Sequence, residues 1–242
     1  MMHGVTNPDA GLVVWDVDGT LIPADLRWLR RAVARTYALA ESAVVFPTAK
    51  VHGYTDESIV IDTAIASGID ERAAEAGVAC FPDHLAHVME QGREELARDQ
   101  PAYPGAKETI RALHDAGFVQ TVLTGNLRSA AEIKLATTGL DDYIDWSIGG
   151  FGSDARDRFD LPDVIRRRYA DVLGRPLDPD KTVVIGDAAN DIACARHAGF
   201  RVIAVTHRVT RDELAQHGPD AILDRLSAPD VVAAVSRLTG KD

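Results

Sequence analysis

A chain of 242 residues carries 37 acidic against 26 basic side chains, and its net charge of −11 argues against general nucleic-acid binding, which requires a basic face. The apolar fraction, 46%, is that of an ordinary globular protein, and the length suits one large domain or a core with a modest second domain. Residues 1–11 lack the basic-then-apolar pattern of a secretion signal and no apolar run approaches a membrane span, so a cytoplasmic protein with no membrane partner is expected.

Regular structure opens with the apolar run Leu12-Val13-Val14-Trp15, a strand predicted over 12–16. Residues 22–102 then read as Ala-rich and helical, with helices predicted over 26–40, 56–66, 71–80 and 82–98, closed by Pro101, Pro104 and Gly105. From there strands and amphipathic helices alternate. Strands are predicted over 118–124, 146–148, 182–187, 201–205 and 221–223, and helices over 106–116, 127–138, 161–173, 191–198, 211–216 and 229–238. Gly117, Gly139, Gly174 and Gly199 sit where a glycine ends a helix. The alternation predicts an α/β fold with a parallel sheet, and residues 22–102 an insertion after its first strand. Cys80 and Cys194 match no zinc or redox spacing and are read as small buried hydrophobes.

Chemistry concentrates at strand ends. Asp16-Val17-Asp18-Gly19-Thr20 puts two carboxylates at the end of a buried strand, where an unpaired charge is costly. Ligands of open parallel sheets bind outside the carboxyl ends of strands, so the segment reads as a nucleophile and metal site. Val122-Leu123-Thr124-Gly125-Asn126 ends a second apolar run, with Thr124 and the following N–H placed for a phosphate at a helix start. Val183-Val184-Ile185-Gly186-Asp187 ends a third, and Asp191 follows four residues on, either as a site residue or as a cap for the next helix.

These segments, in this order, resemble the motifs of the haloacid dehalogenase-like hydrolase superfamily, and the resemblance covers essentially the whole chain. It implies a Rossmann-like core of residues 1–21 and 103–242 with a helical cap of residues 22–102. It further implies that Asp16 attacks phosphorus, that Asp18 acts as acid and base, and that Thr124 holds the phosphoryl group. A Mg2+ ion would be held by Asp16, the Asp18 carbonyl and Asp187, with Asp191 completing the metal site from behind them or through water. Such an ion also answers a physical difficulty, since four converging carboxylates repel an incoming phosphate.

A basic residue is required as well. Lys134, in Glu132-Ile133-Lys134-Leu135, resembles the lysine of a subset with Thr-Gly-Asn, while Arg158, in Asp157-Arg158-Phe159-Asp160-Leu161-Pro162, stands where other members place theirs. Lys134 is the favoured catalytic cation. Substrate contacts are expected from Gly125, Asn126 and Arg158, and from Lys50 and His52 in the polar cap loop 50–56, where Thr55 reads as a helix N-cap. The loop 149–154 reads either as a plain turn or as part of the site mouth. His84, His87 and His114 have no ligand spacing and read as surface or core residues.

Asp18 excludes the dehalogenase and phosphonatase-like branches. The expected activity is a Mg2+-dependent phosphomonoesterase acting on a small phosphorylated metabolite, with phosphoglycolate-type phosphatases the nearest match and a phosphomutase resembling β-phosphoglucomutase the alternative. Receiver domains share an acidic cluster but lack the Asp-x-Asp-Gly-Thr segment and an inserted cap. A monomer or homodimer is expected, and the substrate is left open.

Overall fold

The computed structural model describes residues 11–47 and 54–241; Lys50 and His52 lie outside them. All four residues of β1 (Leu12–Trp15) are buried, as an unbroken apolar run requires of a strand covered on both faces. β2 (Val119–Thr124) and β4 (Thr182–Gly186) flank it in parallel, with Trp15 opposite Val122 on one side and Ile185 on the other. Adding β3 (Gly150–Phe151), β5 (Arg201–Val205) and β6 (Ala221–Leu223), the order among the described residues is β3-β2-β1-β4-β5-β6, with every pair parallel.

Strand alternation sorts the core into two layers. Val13, Trp15, Val122, Ile185 and Val205 pack with α6 (Ala106–Asp115) and α11 (Ala228–Thr239), while Leu12, Val14, Leu123, Val184 and Val202 pack with α8 (Leu161–Leu173) and α9 (Ala189–His197). Each such side chain contributes roughly 1.5–3 kcal/mol by leaving water. Gln120, buried in β2, accepts from Trp15 Nε1 at 3.0 Å and donates to the Ile110 carbonyl at 2.8 Å, so its amide is satisfied. All four helix-ending glycines take positive φ.

Between β1 and α6 the described residues form the helices α1 (Arg27–Thr36), α2 (Asp56–Ala66), α3 (Glu71–Gly77), α4 (Phe81–Gln91) and α5 (Arg93–Asp99). Trp28, Val33, Phe81, Leu85 and Met89 form an apolar cluster here, which Leu127, Ala130 and Ile133, at and just before α7 (Arg128–Thr138), complete. The inserted helices therefore share a core with the helix that follows β2.

Several boundaries differ from expectation. The predicted helix over 82–98 breaks at Gly92, where a Cβ would lie 2.3 Å from the Trp28 ring; the indole occupies that space. The predicted helix over 26–40 stops at Thr36, since Tyr37 Oη donates to the Ala74 carbonyl at 2.6 Å and Ala38 turns the chain at φ 52°. The helix predicted over 71–80 ends at Gly77. Residues 146–148 are not a strand. Asp145 Oδ1 accepts from Ser147 N at 3.0 Å and fixes a turn there, and parallel pairing to β2 starts only at Gly150. Among the described residues no helix is long and apolar enough to cross a membrane. Cys194 is buried as expected, but Cys80 is exposed; both are free thiols.

Candidate active site

The sheet order reverses at β1, so the crevice outside the ends of β1, β2 and β4 is the switch point where such sheets bind ligands. Three chain ends deliver Asp16, Thr124 and Asp187 into it. Asp16 N–H still donates to the Ile185 carbonyl at 2.9 Å, which fixes the first carboxylate to the sheet. A tight loop follows, closed by Gly19 N–H to the Ile22 carbonyl at 2.7 Å. It returns the Thr20 hydroxyl to 3.0 Å from Asp16 Oδ2 and 3.3 Å from Asp187 Oδ1.

One wall of the crevice is acidic. Asp16, Asp187 and Asp191 each offer an oxygen, and these atoms lie within 4.8 Å of one another. Arg158, from a short 3-10 turn before α8, is 5% exposed and places Nη2 at 2.9 Å from Asp16 Oδ1 and 2.5 Å from Asp191 Oδ1. Asp191 Oδ2 accepts from the backbone N–H groups of Asp187 and Ala188 at 3.1 and 2.9 Å. Asp191 therefore serves both readings, bracing the start of α9 and holding Arg158.

The balance is still negative. Burial and the Asp191 carboxylate push Asp16 up to about 7, and burial with the Asp16 carboxylate pushes Asp187 up to about 8. Arg158 is held in its charged form, because Asp191 and Asp16 outweigh the burial that acts to lower it. Among the described residues, Asp187 Oδ2 is buried with no hydrogen bond, and Arg208 Nη1 stands 3.5 Å from it. A buried, unbonded carboxylate oxygen beside two others fits a hard divalent cation that accepts oxygen ligands. The residues that would hold it are Asp16 and Asp187.

The facing wall is built on α7. Lys134, 6% exposed, donates to Asp18 Oδ2 and to Asn126 Oδ1, each at 2.5 Å. Asn126 Nδ2 in turn donates to Asp18 Oδ2 at 2.6 Å and to Thr124 Oγ1 at 3.0 Å. Asp18 Oδ1 is buried and has no hydrogen-bond partner among the described residues. Thr124 Oγ1 also accepts from Asn126 N at 3.2 Å, so with Asn126 Nδ2 both of its acceptor positions are used and its hydroxyl remains able to donate. The Gly125 backbone lies against the carbonyl of Tyr54, and a Cβ there would come within 1.9 Å of that oxygen, so only glycine fits.

Asp16, Asp18, Thr124, Gly125, Asn126, Lys134, Arg158, Asp187 and Asp191 thus line one pocket. Lys134 and Arg158 are both in it, on opposite walls, one on Asp18 and the other on Asp16. Asn126 is a bridge among Asp18, Thr124 and Lys134. Thr55 caps α2 as expected, accepting from Ser58 N at 3.4 Å. None of residues 149–154 lines the pocket; Gly152 N–H donates to the Asn126 carbonyl at 2.8 Å and braces the loop from behind. His84 pairs with Thr36 and His114 stacks on Tyr143, away from the pocket.

The sequence does not single out Arg208, and it presents Asp56 only as the last residue of the cap loop 50–56, with no role of its own. Arg208 stands just beyond the end of β5, a position that strand-end reasoning could have flagged. Asp56 opens α2, 6% exposed, and burial pushes it up to about 6. An acid in the first turn of a helix has an ordinary explanation in the helix dipole, so its sequence carries no signal of a site.

A family model described as haloacid dehalogenase-like hydrolase matches residues 13–196. The chain is similar to a plasmid-encoded phosphoglycolate phosphatase of Cupriavidus necator, 30% identical over 234 residues, covering 93% of this chain and 94% of the relative. It is also similar to a phosphoglycolate phosphatase of Vibrio vulnificus, 27% identical over 238 residues, covering 92% and 96%. Among solved structures, CbbY from Rhodobacter sphaeroides in complex with phosphate superimposes with a TM-score of 0.66 at 19% identity, covering 94% of this chain and 99% of that one. At that identity the likeness speaks for the fold.

Proposed function

The chain belongs to the haloacid dehalogenase-like hydrolases, and from that premise we propose that it is a Mg2+-dependent phosphomonoesterase, cytoplasmic, acting on a small phosphorylated metabolite through a phosphoryl group carried on Asp16. One observation carries this reading. Two carboxylates two residues apart sit on opposite walls with different partners, Asp16 with Arg158 and Asp18 with Lys134. Two carboxylates in different environments can take different roles.

Asp16 is the nucleophile. Its carboxylate attacks phosphorus as the ester P–O bond breaks, and the aspartyl-phosphate stores the group. Asp18 gives its proton to the departing oxygen, and Oδ1, which has no other partner, is the atom that carries it. Asp18 then takes a proton from the water that attacks phosphorus. The acyl-phosphate bond breaks, and inorganic phosphate and the Asp16 carboxylate are restored. Thr124 Oγ1 donates to a phosphoryl oxygen, Lys134 holds Asp18 in place, and Arg158 orients Asp16. Asp16, Asp187 and the Asp18 carbonyl would hold Mg2+, which would supply positive charge for the transferring group. The helical segment 22–102 acts as the cap over the pocket, and Trp28, Leu29, Ile59, Leu85 and Met89 line its side of the chamber.

Phosphate release from a panel of phosphate esters, with and without Mg2+, tests this. Metal-dependent turnover of at least one ester that disappears in Asp16→Asn is the expected result. Turnover by the Asp16→Asn protein equal to wild type refutes the assignment.

A further inference from the structure

The inserted helices do more than cover the pocket, because one of them reaches into the phosphate loop. Asp56 opens α2, yet its carboxylate does not face solvent: it is 6% exposed, and Oδ2 accepts from Leu127 N at 2.8 Å. Leu127 is the residue before α7, and that helix has no side-chain cap of its own. The first N–H groups of a helix lack internal partners, and a carboxylate there both pairs one and favours the helix dipole. The same residue is fixed at its backbone, since Asp56 N–H donates to the Gly125 carbonyl at 2.7 Å. A neighbouring bond, Thr55 Oγ1 to the Arg156 carbonyl at 2.7 Å, holds the same turn on the core.

These bonds span the segment 125–127, which carries the acid/base wall. Asn126 lies between the two residues that Asp56 grips, and it holds Asp18 at 2.6 Å. Lys134 lies on α7 itself and holds Asp18 at 2.5 Å. We propose that Asp56 is a positioning residue: it lets the inserted helices fix the start of α7, and through Asn126 and Lys134 it sets the geometry of Asp18. The proton-transferring carboxylate is then in place only while the α2 end of the insertion sits on the 125–127 loop. This rests on the proposed role of Asp18, and the closing experiment separates the two.

Asp56→Ala removes the acceptor, whereas Asp56→Asn keeps an oxygen for Leu127 N–H. Both are compared with wild type on phenyl phosphate, whose leaving group needs a proton, and on p-nitrophenyl phosphate, whose leaving group departs without one. A misplacement of this kind costs on the order of 10-fold to 100-fold in rate. Asp56→Ala should lose that factor in kcat/KM on phenyl phosphate, lose much less in kcat/KM on p-nitrophenyl phosphate, and exchange its amide hydrogens faster at residues 127–131. Asp56→Asn should recover most of both. Wild-type kcat/KM in Asp56→Ala on phenyl phosphate, equal losses of kcat/KM on the two esters, or unrecovered Asp56→Asn overturns the proposal. A wild-type protein inert toward every ester of the panel, these two included, instead refutes the phosphatase function and, with it, the role of Asp18.

Discussion

Arg158 gives the most quantitative prediction. Its guanidinium is 5% exposed and pairs with Asp16 at 2.9 Å and Asp191 at 2.5 Å, both themselves buried. Arg158→Met keeps much of the volume and removes the charge, leaving two buried carboxylates facing Asp187. Removing one partner of a buried ion pair costs about 3–5 kcal/mol, because the remaining charge is left uncompensated. That cost depends on pH. In the metal-free protein Asp16 and Asp187 already lie at about 7 and 8, and loss of the Arg158 cation drives Asp16 higher. At pH 6 the folded protein relieves the repulsion by binding protons; at pH 8.5 it does so less. Urea unfolding of metal-free protein should therefore show Arg158→Met destabilised at both pH values and by more at pH 8.5. Adding Mg2+ should recover part of the loss. A variant within about 1 kcal/mol of wild type at both pH values would contradict the electrostatic account, since exposed pairs are worth no more than that.

Other consequences follow from the same contacts. Asp18→Asn should lower kcat/KM on phenyl phosphate about 100-fold to 10,000-fold, with a smaller loss of kcat/KM on p-nitrophenyl phosphate, measured at substrate concentrations well below KM. Because Asp16 and Asp187 bind protons in the folded metal-free protein that the unfolded chain has released, their contribution to stability falls as pH rises from about 4 and levels off above about 8. Mg2+ affinity, read by calorimetry, should rise across the same window and be lost in Asp187→Asn. Gly125→Ala should cost about 1–3 kcal/mol in thermal or urea unfolding, since its Cβ would enter the space of the Tyr54 carbonyl.

The core of the site was legible because each apolar run stops at the residue that matters: Trp15 before Asp16, Leu123 before Thr124, Gly186 before Asp187. Strand period and strand-end position are local properties, and the sequence displays them directly. Long-range distance is not displayed. Lys134 and Arg158 read as competitors for one role because spacing along the chain says nothing of which wall each occupies; the fold places them on opposite sides. The third strand was misplaced for another reason. Gly150-Phe151 has little intrinsic strand preference and is a strand only by pairing with β2, while the more strand-like Trp146–Ile148 stretch is turned by Asp145. Gly92 failed in the same way, since its helix break is set by an indole 64 positions earlier. Asp56 was invisible because its partners, Gly125 and Leu127, belong to another part of the chain.

The central claim is that Asp16 carries the phosphoryl group. Wild-type protein and Asp16→Asn are mixed with p-nitrophenyl phosphate and Mg2+, quenched in acid within one turnover, digested, and read by mass spectrometry. The account predicts one added phosphoryl group on the peptide containing Asp16 in the wild type, removed by hydroxylamine and absent from Asp16→Asn. Turnover in the wild type with no phosphoryl group on that peptide, or with the group on another residue, contradicts it.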